Sequence, residues 1–217
     1  MSMIAQIKTL RKTTGAGMSD CKKALVATDG DIDAAVDWLR QKGISKAAKK
    51  SSRTASEGLV DAYIHAGGKI GVLIEVNAET DFVAMNDEFK ALVRDLAMHI
   101  AAAAPEYVSR DEVPADAIER EKAVQKARVI EEGKPAHIAD RIVEGRMSKF
   151  YEEVCLLDQK FVKEDKKTVS EVLTDAIARI GENIKIRRFS RFVMGEGLEK
   201  KSDDFAAEVA AAAGLSN

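Results

Sequence analysis

The chain has 217 residues, of which 46% are hydrophobic, 32% are charged and only 5% are aromatic, a composition typical of one or two globular domains that are rich in helix. The net charge of -2 provides no overall basic field, which argues against direct binding of nucleic acid. No apolar run has the length of a signal-peptide core or of a membrane-spanning helix, so we expect a cytoplasmic protein without a membrane contact.

Residues 1–43 are predicted to form three short helices, because residues that are apolar, apart from one threonine, recur at helical spacing in three stretches. Glycines separate these stretches. The recurring residues are Ile4, Ile7 and Leu10, then Cys21, Ala24, Leu25 and Thr28, then Ile32, Ala35, Val36 and Leu39. Gly43 is taken as the end of the third helix. A unit of about 43 residues buries only a small fraction of its surface, so we interpret it as a docking module tethered by residues 44–56.

This tether contains a local basic run made of Lys46, Lys49, Lys50 and Arg53. One interpretation is a solvated linker, and the other is a patch that contacts phosphate groups. The first predicted domain is therefore residues 1–53, a three-helix docking module with a basic linker.

The residues after the tether are predicted to form a small antiparallel sheet. Alternating side chains near 57–66 and 69–77 flank Gly67–Gly68 and predict a hairpin. A third strand is expected near 184–194, and a bulge near Arg188 would explain why its alternation slips.

Helical patterns occupy the sequence between the second and third strands. Asn86 is predicted to cap a helix with a four-turn apolar stripe. Two charged helices, near 114–131 and 135–154, are predicted to project as a hairpin. Thr168 and Glu171 have the spacing of a capping box, which opens another amphipathic helix.

The predicted fold class is α+β. It combines the three-helix module with a core domain at 54–200, in which the three-stranded antiparallel sheet packs with helices, and a tail helix at 201–217.

The sequence has no recognisable site for covalent chemistry or for a metal. The loop Gly15–Ala16–Gly17 lacks the third glycine and the preceding strand of a dinucleotide-binding fingerprint. His65, His99 and His137 are not spaced as metal ligands or beside a nucleophile, and the two cysteines fit no metal or redox spacing. We therefore predict a binding protein without a cofactor rather than an enzyme.

Phe82 is the residue that stands out, because a large aromatic side chain follows Asp81 in a polar turn between a strand and a capped helix. One interpretation is a lid over the junction between strand and helix. The other is an exposed aromatic anchor for a partner, held on a rigid frame.

Four motifs resemble the elongation factor Ts family, and together they extend over nearly the whole chain. They are TGAGMSDCKKAL at 14–25, TDFVAMN at 80–86, IGENIKIRRF at 180–189 and DFAAEVAAA at 204–212. The short middle region is similar to the compact form of the family, which has one copy of the core sheet unit. The N-terminal module is also similar to the ubiquitin-associated fold.

The resemblance implies that the protein promotes exchange of GDP for GTP on elongation factor Tu, a GTPase. Thr80, Asp81, Phe82 and Val83 match the family signature, in which the phenylalanine wedges near the magnesium site of the partner and the aspartate supports the turn. The resemblance also implies that Arg11 and Met18 in the N-terminal module grip a helix of the GTPase domain. Ile180 and Gly181 are expected to provide a core contact.

The resemblance leaves some features open. Met85 stands where a basic residue is usual and Ser19 where a second methionine is common. A homodimer would supply a second sheet unit. The rival functions are a ubiquitin-associated-type adaptor that binds ubiquitin or another helical partner, although residues 57–217 have no role in it, and an enzyme with an unrecognised site.

Overall fold

The computed structural model of the protein describes residues 2–198. These residues form eight α-helices, two short 3-10 helices and five strands. In chain order the helices and strands are α1 (Met3–Thr14), α2 (Met18–Ala27), α3 (Ile32–Lys50), β1 (Glu57–Ile64), β2 (Ile70–Ala78), α4 (Asp81–Met85), α5 (Asp87–Ala103), α6 (Ala115–Glu131), α7 (Ala136–Val154), β3 (Lys160–Phe161), β4 (Glu164–Thr168), α8 (Val169–Ile180) and β5 (Lys185–Val193). The predicted tail helix at 201–217 lies outside the described residues.

The predicted α+β fold class is confirmed. Strands β1, β2 and β5 form an antiparallel sheet in the order β1-β2-β5. Helix α5 packs on β1 and β2 and also contacts α8, so one face of the sheet is covered. The main core combines the inward side chains of this sheet with those of α5 and α8.

The slip in the alternation of the third strand has the predicted cause. Glu75 of β2 pairs with Arg188, whereas the next residue, Val76, pairs with Ile186. Arg187 is therefore the extra residue of a β-bulge. The bulge lets Ile186 and Phe189 both reach the core although they are an odd number of residues apart.

The N-terminal helices α1, α2 and α3 pack around a small core of their own, formed by Ile7, Leu10, Cys21, Ala24, Leu25 and Ala35. The prediction that the third helix ends before Gly43 is wrong, because α3 continues to Lys50. A Cβ placed on Gly43 would lie 3.4 Å from the Cβ of Ala178, so the glycine lies directly against α8. Ala47, which we expected in a tether, is buried in the main core.

The long hairpin forms close to its predicted bounds. Helices α6 and α7 pack against each other around a third cluster, formed by Val129, Ala139, Val143 and Met147. The hairpin of β3 and β4 was not predicted from the sequence. Within residues 2–198, no helix has the length and hydropathy that a membrane span requires.

Candidate functional site

Phe82 lies on α4, a helix of only five residues that begins directly after β2. Its side chain is 76% exposed, whereas the next residue, Val83, is 8% exposed and belongs to the main core. This exposure excludes the lid interpretation. Because Val83 anchors the helix while Phe82 points to solvent, the aromatic ring is presented on a fixed backbone.

The start of α4 is fixed by a carboxylate from a distant part of the chain. Thr80 occupies the N-cap position, but its side chain forms no capping hydrogen bond with the helix. Instead, the Thr80 N–H donates to Glu182 Oε2 at 3.0 Å, and the Thr80 hydroxyl donates to Glu182 Oε1 at 2.7 Å. Each oxygen of one carboxylate therefore holds one donor of the same residue.

A second carboxylate joins the same two turns in the opposite direction. Glu79 Oε1 accepts a hydrogen bond from the Asn183 N–H at 2.7 Å, and Glu79 Oε2 lies 3.5 Å from Arg53 Nη1. The hydrogen bond from the Asn183 N–H, with the charge of Arg53, lowers the pKa of Glu79 below its ordinary value. The turn after β2 and the turn before β5 thus exchange carboxylate hydrogen bonds. We call these bonds, made by Glu79, Thr80, Glu182 and Asn183, the carboxylate clamp.

The predicted contact residues Ile180 and Gly181 lie at the end of α8, immediately before the clamp. Gly181 ends the helix with φ of 90°, in the left-handed region that favours glycine. The carbonyl of Gly181 accepts a hydrogen bond from Lys50 Nζ at the end of α3. The structure therefore brings Thr80–Val83 and Ile180–Gly181 together, with the clamp between them.

Three of the four residues in the basic run form ion pairs or hydrogen bonds within the chain. Neither the solvated linker nor the phosphate-contacting patch predicted these contacts. Lys46 pairs with Asp20 at 2.7 Å, Lys50 binds Gly181, and Arg53 lies beside Glu79. In addition, the buried Asn183 side chain donates to the Arg53 carbonyl at 2.7 Å. This segment is therefore attached to α2 through Lys46 and to the turns around Gly181 and Glu79 through Lys50 and Arg53, so it is not a free linker.

Arg11 and Met18, the predicted docking residues, flank the loop between α1 and α2. Both are exposed, and 55% of Met18 is accessible to solvent. Within residues 2–198, neither side chain has a hydrogen bond or an ion pair to the clamp or to α4. They form a separate surface on the N-terminal helices.

The two predicted surfaces are nevertheless linked through α8. A Cβ on Gly15, in the loop between α1 and α2, would lie 2.8 Å from Arg179 Cδ. Arg179 Nε in turn donates to Glu88 Oε1 at 2.5 Å. Because Glu88 is in the first turn of α5, directly after α4, this chain of contacts sets the N-terminal loop beside the segment that carries Phe82.

Sequence reasoning did not assign a role to Glu79, Glu182 or Asn183, although all three lie in or beside the quoted motifs. The available signal was the polar sequence Glu182–Asn183 directly after a helix-ending glycine. No spacing rule predicts its partner, because Thr80 and Glu182 are 102 positions apart. Among the described residues, no group of His, Cys, Asp or Glu side chains is arranged to hold a metal ion.

Comparison with known proteins gives two family matches. A family model described as "Elongation factor TS" matches residues 43–196, and one described as "UBA/TS-N domain" matches residues 2–39. A protein named "Elongation factor Ts" from Geobacter sulfurreducens is 62% identical over 97% of this chain and 98% of its own length. Proteins of the same name from an Anaeromyxobacter species and from Heliobacterium modesticaldum are 63% and 58% identical, over 96% and 97% of this chain and 95% and 98% of their own lengths.

Proposed function

The chain belongs to the elongation factor Ts family, and on that basis we propose that it binds elongation factor Tu carrying GDP and promotes release of the nucleotide. Its role is that of a translation elongation factor, and the family acts in nucleotide exchange without covalent catalysis. The observation that supports the finer proposal is the exposed Phe82 on a helix fixed by Val83 and the carboxylate clamp. An exposed aromatic side chain on a rigid backbone is a typical binding hot spot.

The proposed action follows from thermodynamic linkage. A protein that binds the nucleotide-free GTPase more tightly than the GDP-bound form weakens GDP binding by the same factor. A thousandfold effect corresponds to about 4 kcal/mol. In the proposal, Phe82 inserts near the magnesium and phosphate site of elongation factor Tu, with Thr80, Asp81 and Val83 supporting it, and GTP then loads into the emptied site.

A second contact is proposed for the N-terminal helices. Arg11 and Met18 are exposed on the loop side of α1 and α2, and Met18 supplies an apolar side chain that a partner helix can bury. Loss of Met18 is expected to weaken binding without changing the metal dependence of exchange. We place this activity in the cytoplasm and without direct contact to nucleic acid.

The test is release of labelled GDP from elongation factor Tu, with and without this protein. We expect faster release and, with excess GTP, faster loading. A pull-down against ubiquitin separates this proposal from the adaptor alternative. Capture of ubiquitin together with an unchanged rate of GDP release would contradict the exchange function.

The magnesium part of the proposal makes a separate prediction. Mg²⁺ bridges phosphate oxygens and is one of the largest charges in a GTPase site. If Phe82 disturbs that site, chelation of Mg²⁺ duplicates part of its effect, so the benefit of Phe82 over Phe82→Ala shrinks when chelator is present. GDP release is measured for both proteins, with Mg²⁺ and with chelator. An equal loss under both conditions would assign Phe82 a docking role that is independent of the metal.

The sequence left the oligomeric state open, and we further propose that the chain forms a homodimer through the outer face of the sheet. Val60, Ile64, Leu73 and Phe192 project from this face and are exposed, and Met194 follows β5 at the same edge. At one end of the face, Ile64, Gly71 and Phe192 occupy paired positions, so this row is apolar across all three strands. A two-fold dimer uses the same surface on both subunits, so it would bury these exposed apolar side chains against their own copies.

Light scattering and sedimentation of the native protein and Leu73→Glu test the dimer. The native protein is expected to be dimeric and Leu73→Glu monomeric, since a charge would be buried in an apolar contact. Val162→Glu, at another exposed apolar residue, is the matched control and should remain dimeric. A monomeric native protein at micromolar concentration would contradict the proposed interface.

A further inference from the structure

We propose that Glu182 is a positioning residue for Phe82: it holds the first residue of the α4 segment by two hydrogen bonds and thereby sets where the aromatic ring is presented. This positioning is a property of the free protein. Its consequence for exchange rests on the proposed function.

Helix α4 cannot fix the position of Phe82 by itself. A helix of five residues is far too short to be stable alone, because nucleation costs more than its few hydrogen bonds return. Its geometry is therefore imposed by what surrounds it. Phe82 contributes little to this, because most of its side chain is in solvent.

The described structure supplies one restraint at each part of the helix. Val83 anchors the middle in the main core. At the end, the Asn86 N–H donates to the Val83 carbonyl at 3.0 Å, and Asn86 Oδ1 accepts from the Glu88 N–H at 2.7 Å, which starts α5. At the beginning, the restraint is the pair of bonds from Thr80 to Glu182.

The restraint from Glu182 differs from an ordinary helix cap. In an ordinary cap the threonine hydroxyl accepts a hydrogen bond from the helix that it precedes. Here the Thr80 hydroxyl donates a hydrogen bond to Glu182 instead of accepting one from α4. The start of α4 is therefore held by the turn that follows α8. The position of Phe82 therefore depends on the turn at Gly181–Asn183.

That turn is also where the N-terminal helices reach the core. Lys50 binds the Gly181 carbonyl, and the Asn183 side chain binds the Arg53 carbonyl. Glu182 thus lies between one bond to the end of α3 and one to the segment that follows α3, while its own carboxylate holds α4. It is the one side chain of this turn that bonds directly to the segment carrying Phe82 among the described residues.

A graded series of variants tests the assignment in the free protein. Glu182→Ala removes both acceptors, Glu182→Gln keeps one acceptor oxygen, and Thr80→Val removes the hydroxyl alone. Hydrogen exchange of residues 80–86 should accelerate about tenfold in Glu182→Ala, less in Glu182→Gln and Thr80→Val, and not in Thr80→Ser. The fluorine signal of 4-fluorophenylalanine at position 82 should shift in the same order. Glu164→Gln, at an exposed glutamate on β4, is the matched control.

The functional consequence is measured as GDP release from elongation factor Tu. Glu182→Ala should slow the stimulated release about tenfold. Added to Phe82→Ala, it should cause no further loss, because a residue that acts through Phe82 has nothing left to position. A merely structural role would instead lower the rate equally in both backgrounds, which would overturn the proposal.

The free-protein and functional measurements separate two failures. If Phe82→Ala stimulates release at the native rate, the proposed role of Phe82 fails, while hydrogen exchange and the fluorine signal still decide whether Glu182 positions α4. If residues 80–86 and the fluorine signal are unchanged in folded Glu182→Ala, the positioning role is wrong whatever the exchange rate.

Discussion

Among single residues, two neighbours in the sequence, Phe82 and Val83, have opposite environments. Phe82 is largely exposed and Val83 buried, although both are apolar and adjacent. The buried neighbour fixes the backbone and the exposed one is free for a partner.

Gly181 gives a prediction at this scale. Its φ of 90° is costly for any residue with a Cβ, whereas the nearest atom to such a Cβ, Lys50 Nζ, is 4.0 Å away. Gly181→Ala should therefore destabilise the protein by about 1–2 kcal/mol through backbone strain alone. Urea unfolding measures this.

Gly145 provides the matched control for that substitution. It lies within α7, is exposed, and has open space where a Cβ would be placed. Gly145→Ala should be neutral or stabilise by up to about 1 kcal/mol, because alanine favours helix. Equal effects of the two substitutions would show that the turn at Gly181 adapts without strain.

At the scale of elements, a buried histidine attaches the β3–β4 hairpin to α5. His99 is fully buried, its Nδ1 accepts a hydrogen bond from the Val162 N–H at 3.1 Å, and its Nε2 lies 2.9 Å from Gln159 Oε1. Because Nδ1 is an acceptor, the proton is assigned to Nε2, which donates to Gln159. A protonated ring would lose the bond from Val162.

This arrangement predicts a pH dependence of stability. Burial lowers the pKa of His99 below its ordinary value of 6.5, while the hydrogen bond to Gln159 opposes the shift. Below that value the unfolded chain binds a proton that the folded chain excludes, so the free energy of unfolding should fall as the pH drops from about 7 toward 5. His99→Gln should flatten this dependence in urea unfolding, whereas the exposed control His65→Gln should keep it. Identical profiles for the native protein and His99→Gln would contradict the account.

Much of the element structure could be predicted because it is encoded locally. Thr168 and Glu171 form the predicted capping box, Asn86 caps α5, and the bulge lies beside Arg188. Gly43 misled the prediction because packing against α8 overrides its local preference. Strand β3 has two residues, too few to show a period.

The site was predicted only in part, because its geometry depends on contacts between residues that are far apart in the sequence. The polar turn around Phe82 drew attention to this residue, but the sequence left both a lid and an exposed anchor open. Which one forms depends on burial of Val83 and on Glu182, a partner 102 positions away. Long-range pairs of this kind leave no spacing pattern in a single sequence.

In the whole molecule, α3 connects the core of the N-terminal helices to the main core. Ala35 is buried in the N-terminal cluster and Ala47 in the main core, on one continuous helix. Arg40 also pairs with Glu171 of α8. The division of the chain at residue 53 remains a prediction, and α3, which lies entirely before it, packs into the cores on both sides of it.

This connection predicts how truncation should behave. A chain that starts at residue 54 loses Ala47 and the carbonyl of Arg53, and leaves the buried amide of Asn183 without that acceptor. A chain that starts at Arg40 keeps these contacts. The shorter chain should be less stable by at least about 2 kcal/mol in urea unfolding. Equal stability of the two would show that the second half of α3 does not support the core.

Phe82 is proposed to carry the exchange activity, and stimulated release of labelled GDP from elongation factor Tu tests this claim directly. The comparison uses the native protein, Phe82→Ala and Ile130→Ala, a matched loss of an exposed apolar side chain on α6. Native protein and Ile130→Ala should stimulate release equally. Phe82→Ala should lose about 2–4 kcal/mol of the effect, which is about a 30-fold to 700-fold reduction in rate. Native-rate release by Phe82→Ala that circular dichroism shows to be folded would contradict the claim.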